Sequence, residues 1–298
     1  MPTEDADAAK QWTIMRLLRW TADYFSGHGI DTPRIDAEVL LAHCLGLSRI
    51  DLYLRHDQPL EQGELARFRE LVRRRARREP VAYITGGKEF WSLELQVSPH
   101  VLIPRPETEL LVEQALEVMG PRKEAVALEL GTGTGAISLA LASQRPGWWI
   151  AASDISPEAV ALARANAVKH GLEGRVSFFV SDWLAAVATT EPQFDLIVSN
   201  PPYIRSREIG RLEPEISSYE PRLALDGGVS GLECLTRIIS AAGPCLKAGG
   251  FILLEIGHDQ KDAAESLFRD RGVYHQVTTV RDYGGSWRVV MGRKKDAG

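Results

Sequence analysis

Asn200, Pro201, Pro202 and Tyr203 follow directly on the apolar run Phe194–Ser199. A proline has its φ fixed near about −65° and no N–H to donate, so it presents its carbonyl oxygen in a stiff arrangement. Asn200 adds a side-chain oxygen. Two fixed acceptors beside a flat ring suit a planar group that carries an NH₂: the acceptors take its two hydrogens while Tyr203 covers its π face. An exocyclic base amine and a carboxamide both answer that description. A rigid turn closing a strand is the plain alternative, and for Asn-Pro alone it is the better one. What favours a site is the added Pro-Tyr at the end of a buried strand, because ligands of open α/β sheets bind at the carboxyl ends of their strands.

A second group of residues points to a cofactor. Gly131, Thr132, Gly133, Thr134 and Gly135 lie between an apolar run ending at Leu130 and a helical stretch beginning at Ala136, and glycines there let the backbone turn tightly and approach a ligand. Asp154 stands nineteen residues beyond Gly135, at the end of the next strand, where a carboxylate accepts both hydroxyls of a ribose. The glycine pattern also satisfies the dinucleotide fingerprint, so by itself it does not separate a nicotinamide cofactor from S-adenosylmethionine. Three features favour the latter: Glu129 two residues before the first glycine, Asp182-Trp183 after the third strand, and Asn200–Tyr203 after the fourth. Trp183 is placed to lie against an adenine and Asp182 to accept from its amino group; a helix cap and a core indole are the alternative roles for that pair.

These residues need a sheet to carry them. Strands are expected at Ala125–Leu130, Trp148–Ser153, Arg175–Val180, Phe194–Ser199 and Phe251–Ile256, with helices at Ala136–Gln144, Pro157–His170 and Leu232–Leu246. Such alternation predicts a mostly parallel, doubly wound α/β sheet. Val277–Arg281 and Trp287–Met291, joined by Asp282–Ser286, predict a hairpin and hence an antiparallel final strand. Ahead of the sheet, residues 13–79 read as helices, the second capped by Thr32 with Pro33 at its first position and the third running from about Leu60 to Arg78. Period-two alternation from Glu89 to Val97 predicts a strand paired with Val101–Ile103, after which Glu107–Glu109 open a helix. The expected organisation is a helical domain over 1–88, a β-hairpin linker over 89–106 and a cofactor-binding domain over 107–298.

Composition excludes other classes. A chain of 298 residues that is 44% hydrophobic and 25% charged is globular, neither disordered nor fibrous. The acidic N-terminus and the lack of an apolar run of about 18 residues support neither a signal peptide nor a membrane span, so a cytoplasmic protein is expected. Cys44, Cys234 and Cys245 form no CxxC pair and the histidines show no ligand spacing, so no metal is expected. A net charge of −5 argues against a wide nucleic-acid footprint. Seven arginines between Arg67 and Arg78 are the exception. Residues 1–106 nonetheless carry fifteen acidic and fifteen basic side chains, which favours a solvated helix face over an RNA or partner contact.

Taken together these residues resemble the PrmC/HemK family, methyltransferases that modify the glutamine of the Gly-Gly-Gln motif in peptide chain release factors. The likeness runs through Pro80–Gly86, Glu89–Trp91, Leu102–Glu109, Glu129–Gly135, Asn200–Tyr203 and Glu220–Gly228. Ile103–Glu109 is far more specific to the family than the glycine loop. The resemblance implies a helical N-terminal domain that grips a class 1 release factor and a class I (Rossmann-like) methyltransferase domain using S-adenosylmethionine. It further implies that Gly131–Gly135, Asp154, Asp182, Trp183 and Asn200 bind the cofactor and that Asn200–Tyr203 hold the glutamine. Stable nucleic-acid binding is not expected. The rival closest in chemistry is an amino-methyltransferase acting on adenine or guanine of RNA or DNA. A nicotinamide dehydrogenase and a non-catalytic translation-binding module are weaker rivals.

Overall fold

The computed structural model describes residues 11–188 and 191–296. The chain forms two compact units, one reaching to Gly86 and including Glu213–Tyr219, the other comprising Gly87–Leu212 and the chain from Glu220 onward.

The first unit is helical: α1 (Ile14–Gly27), α2 (Pro33–Leu45), α3 (Arg49–Leu54), α4 (Gln62–Ala76) and α5 (Val81–Thr85), with a single helical turn at Pro214–Ser217. Leu18, Phe25, Leu40, Leu41, Phe68 and Val72 fill its core. The expected Thr32 cap does not form, because its hydroxyl donates to Asp36 Oδ1 (2.8 Å) and not to the backbone. The expectation of a solvated arginine face holds for Arg67, Arg69, Arg73 and Arg77, which are exposed. It fails for Arg75, which is buried and donates to Asp36 (2.7 Å) and Glu215 (2.8 Å). Arg78 binds the Gly29 carbonyl and the carboxylates of Glu213 and Glu215. A helical period carries part of the run inward, where carboxylates distant in sequence neutralise it.

The second unit opens with a hairpin, β1 (Gly87–Phe90) and β2 (Leu93–Gln96). This corrects the single strand expected from Glu89 to Val97, and Val101–Ile103 form no strand. The chain reverses at Trp91 and Ser92, both at positive φ (53° and 60°), and Glu109 accepts the Trp91 N–H (2.8 Å). Turns of this hand are normally signalled by Asn or Gly. Without either, the alternation reads through the bend. A 3₁₀ turn, Pro106–Thr108, then leads into α6 (Glu109–Met119).

The sheet contains β3 (Ala125–Leu130), β4 (Trp148–Asp154), β5 (Val176–Val180), β6 (Phe194–Ser199), β7 (Leu246–Glu255), β8 (Tyr274–Arg281) and β9 (Trp287–Lys294). Its order is β5-β4-β3-β6-β7-β9-β8, and β9 alone runs antiparallel to its neighbours. Helices α7 (Ala136–Gln144), α8 (Pro157–Lys169), α9 (Glu233–Cys245) and α10 (Lys261–Arg271) complete it, α10 having gone unread in the sequence. Both faces are buried, one against a core containing Leu111, Leu139, Ile150 and Leu196, the other against Leu128, Ile197, Ile239 and Phe268. Burial on two sides is why the central strands read as largely apolar runs, interrupted by Glu129 in β3 and Asp195 in β6. Among the described residues no helix is long and apolar enough to cross a membrane.

The sheet register positions the site. Leu130 pairs with Ser153 on one side and with Ser199 on the other. β3, β4 and β6 therefore end level, and Gly131, Asp154 and Asn200 emerge along one edge, where the strand order reverses about β3.

Candidate active site at the carboxyl edge of the sheet

A cavity of about 370 Å³ opens at this edge. Gly131, Thr132, Gly133, Thr134, Asp154, Asp182, Trp183, Asn200 and Pro202 all line it. Of the residues singled out in the sequence, Gly135, Pro201 and Tyr203 are not on its wall. Gly135 caps α7 at φ +83°, and a Cβ there would lie 3.3 Å from both Ala163 and Leu139, so its smallness serves helix packing. Tyr203 turns its hydroxyl toward Glu255 (3.3 Å), and burial pushes the phenol well above its ordinary range.

The glycine loop is braced from within. The Thr132 amide donates to the Ser153 carbonyl (2.9 Å), the Gly133 amide to Asp154 Oδ2 (2.9 Å) and the Gly135 amide to the Thr132 carbonyl (2.8 Å). Few loop amides are thus left for a diphosphate, the group a dinucleotide cofactor would offer. Asp154 also accepts from the Ser156 amide (3.0 Å), and burial raises its carboxyl despite these donors. Beneath the loop, the buried Glu129 accepts from Thr132 Oγ1 (2.7 Å) and the Ser138 amide (3.0 Å) and is pushed by burial to about 7. On the far wall the Trp183 ring lies against Gly131, 3.5 Å from where a Cβ would stand. Asp182 pairs with Arg237 (2.7 Å) at the rim.

The Asn200 corner is held from two directions. Its Nδ2 donates to Thr108 Oγ1 (3.1 Å), and Thr108 in turn donates to Glu255 Oε2 (2.7 Å). On the other side, the Ile204 amide donates to the Leu225 carbonyl (3.1 Å) and the Gly227 amide to the Ile204 carbonyl (2.8 Å). Gln260 ties this loop down by donating to the carbonyls of Tyr203 and Gly231, both at 3.0 Å. Thr108, Glu255, Gly227 and Gln260 escaped the sequence reading as site residues. Thr108 and Gly227 lie within the family-like segments Leu102–Glu109 and Glu220–Gly228, whereas Glu255 and Gln260 gave no signal.

Fold and site together define a class I methyltransferase: seven strands with one antiparallel, and a cavity where the central strands end. The solved structure of a methyltransferase from Pyrococcus furiosus shares this fold, at a TM-score of 0.53 and 23% identity over 75% of this chain and 98% of that one. The PrmC N-terminal domain model matches residues 16–86 and the methyltransferase small domain model residues 106–212. The release factor glutamine methyltransferase of Geobacter sulfurreducens is 43% identical over 95% of this chain and 97% of its own length. That of Salmonella typhimurium is 47% identical over 88% and 93%. The chain belongs to the release factor glutamine methyltransferase family.

Proposed function

We propose that this enzyme transfers a methyl group from S-adenosylmethionine to the side-chain amide nitrogen of the glutamine in the Gly-Gly-Gln motif of class 1 peptide chain release factors, acting in the cytoplasm. The observation that carries this reading is the position of Asn200, on the wall of the same cavity as the glycine loop and Asp154. The cavity suits the cofactor: apolar walls at Trp183 and Ile155, carboxylates at Asp154 and Asp182, and a loop with little to offer a diphosphate. Gly131–Thr134 would pass under its amino-acid portion, Asp154 would accept the ribose hydroxyls, and Trp183 with Asp182 would receive the adenine.

When bound, S-adenosylmethionine supplies a methyl carbon on a cationic sulfur, the electrophile of the reaction. An amide nitrogen is a poor nucleophile because its lone pair is delocalised into the carbonyl. The task of Asn200 Oδ1 and the Pro201 carbonyl is to accept the two N–H groups and hold that lone pair in line, while Tyr203 bounds the corner. Positioning of this kind is worth about 7–11 kcal/mol. A glutamate in place of glutamine would set oxygen against oxygen, which accounts for specificity. The helical unit serves to grip the release factor.

Tritiated methyl transfer to a purified release factor tests the assignment. Label should enter the natural factor and not one whose Gly-Gly-Gln glutamine is replaced. Asn200→Ala should lower turnover at least about 10²-fold while retaining much of the cofactor affinity. Incorporation that persists in the altered factor, or that disappears on ribonuclease treatment, would favour a nucleic-acid substrate instead.

A further inference from the structure

Glu255 closes β7 at 1% exposure, and the chemistry just described makes no use of it. It accepts hydrogen bonds from Thr108 (2.7 Å) and Tyr203 (3.3 Å). A carboxylate has no proton to give, so both hydroxyls must donate to it. Thr108 has a single hydroxyl proton. Once this is committed to Glu255, Thr108 Oγ1 meets Asn200 as an acceptor, at 3.1 Å. The amide must therefore present Nδ2 to Thr108 and turn Oδ1 the other way. In the opposite flip, Asn200 Oδ1 would face a lone pair and its N–H groups would face the incoming NH₂.

We propose that Thr108 and Glu255 are positioning residues for methyl transfer, a two-bond relay that decides which end of the Asn200 amide the substrate meets. This inference rests on the glutamine-methylating reading above. Protonation of Glu255 at Oε2, the oxygen that faces Thr108, breaks the relay, because the carboxyl then donates to Thr108 and frees the threonine proton to turn toward Asn200. The charged and titratable groups around Glu255 are Glu107 on the 3₁₀ turn, Tyr203 after β6, and Arg288 on β9, itself paired with Asp282 (3.1 Å). Burial pushes Glu255 to about 7, with Glu107 reinforcing it and Thr108, Arg288 and Tyr203 opposing. Neither the reacting amide nor the sulfonium titrates near neutrality, whereas the α-amino group of the cofactor does. Glu129 titrates in the same range, which is why the variant and not the profile alone decides.

The experiment measures kcat and KM for a purified release factor against pH, with cofactor affinity by calorimetry. In the natural enzyme kcat should fall below a pH of about 7, approaching tenfold per unit. Glu255→Gln should abolish that limb, whichever way its own amide turns. Thr108→Val should lower kcat by roughly 10²-fold with the cofactor dissociation constant within about twofold, and Thr108→Ser should recover most of the loss. An acid limb surviving in Glu255→Gln, or natural kcat in Thr108→Val, overturns the relay. Failure of the natural enzyme to methylate the release factor at all refutes the parent reading instead.

Discussion

Gly227 is where the brace behind the Asn200 corner is most open to test. A Cβ built on it would lie 2.8 Å from the Pro202 oxygen, 2.8 Å from Tyr203 Cα and 2.9 Å from the Tyr203 carbonyl carbon, whereas ordinary contact begins at 3.4 Å. Its φ is outside the left-handed region, so Gly227→Ala adds no backbone strain and acts by bulk alone. The corner or the loop must then give by about 0.6 Å. Overpacking of this size costs about 1–3 kcal/mol of stability, a drop in Tm of several degrees in a chain of this length. The larger effect is catalytic. A misplacement of about 1 Å costs around 10²-fold in rate, so the smaller shift here should lower kcat about tenfold. Methyl incorporation into release factor reads kcat and KM, and calorimetry reads cofactor affinity, which should stay within about twofold because the glycine loop is untouched. Gly174→Ala, which has nothing within 4 Å of the added carbon, controls for an incidental glycine effect. Natural kcat in Gly227→Ala would show that residues 225–228 do not set the geometry of the corner.

Two further outcomes follow from the same site. Asp154→Ala should weaken cofactor binding by at least about 10- to 150-fold, the worth of a single charge-assisted hydrogen bond of about 1.5–3 kcal/mol; an unchanged dissociation constant by calorimetry would remove its ribose role. Stability should also depend on pH through the buried carboxyls. Burial lifts Glu129 and Glu255 from the ordinary 4.5 to about 7. Between those values the folded chain holds protons that the unfolded chain has released. Their contribution therefore rises as pH falls from about 7 toward 4.5 and is lost as pH climbs, at about 1.4 kcal/mol per pH unit for each group. Urea titrations across this window should show a slope shallower by one such share in Glu255→Gln. An equal slope in the two proteins would mean that Glu255 is not the group taking up the proton.

The sequence alone determined the sheet and the identity of its edge. Ala125–Leu130, Ala136–Gln144 and Phe194–Ser199 are the observed elements to the residue, because strands buried on both faces are mostly apolar and breakers (Gly131–Gly135, Pro201-Pro202) stand close by to end them. The glycine loop, Asp154 and Asn200 were legible for the same reason: each directly follows such a strand or sits at its end. Local pattern failed where a residue answers to something far along the chain. Trp91 and Ser92 bend at positive φ with Glu109, not an Asn-Gly pair, to hold them. Thr108 reads as the start of a helix, yet its hydroxyl is committed to Asn200 and Glu255, 92 and 147 residues away. Arg75 reads as one charge in a solvated run until Asp36 and Glu215 are seen beside it. Periodicity records which side of an element is apolar. Which polar groups meet across the fold is decided only when the chain closes, since an enclosed hydroxyl or guanidinium must find its partner wherever packing brings one near.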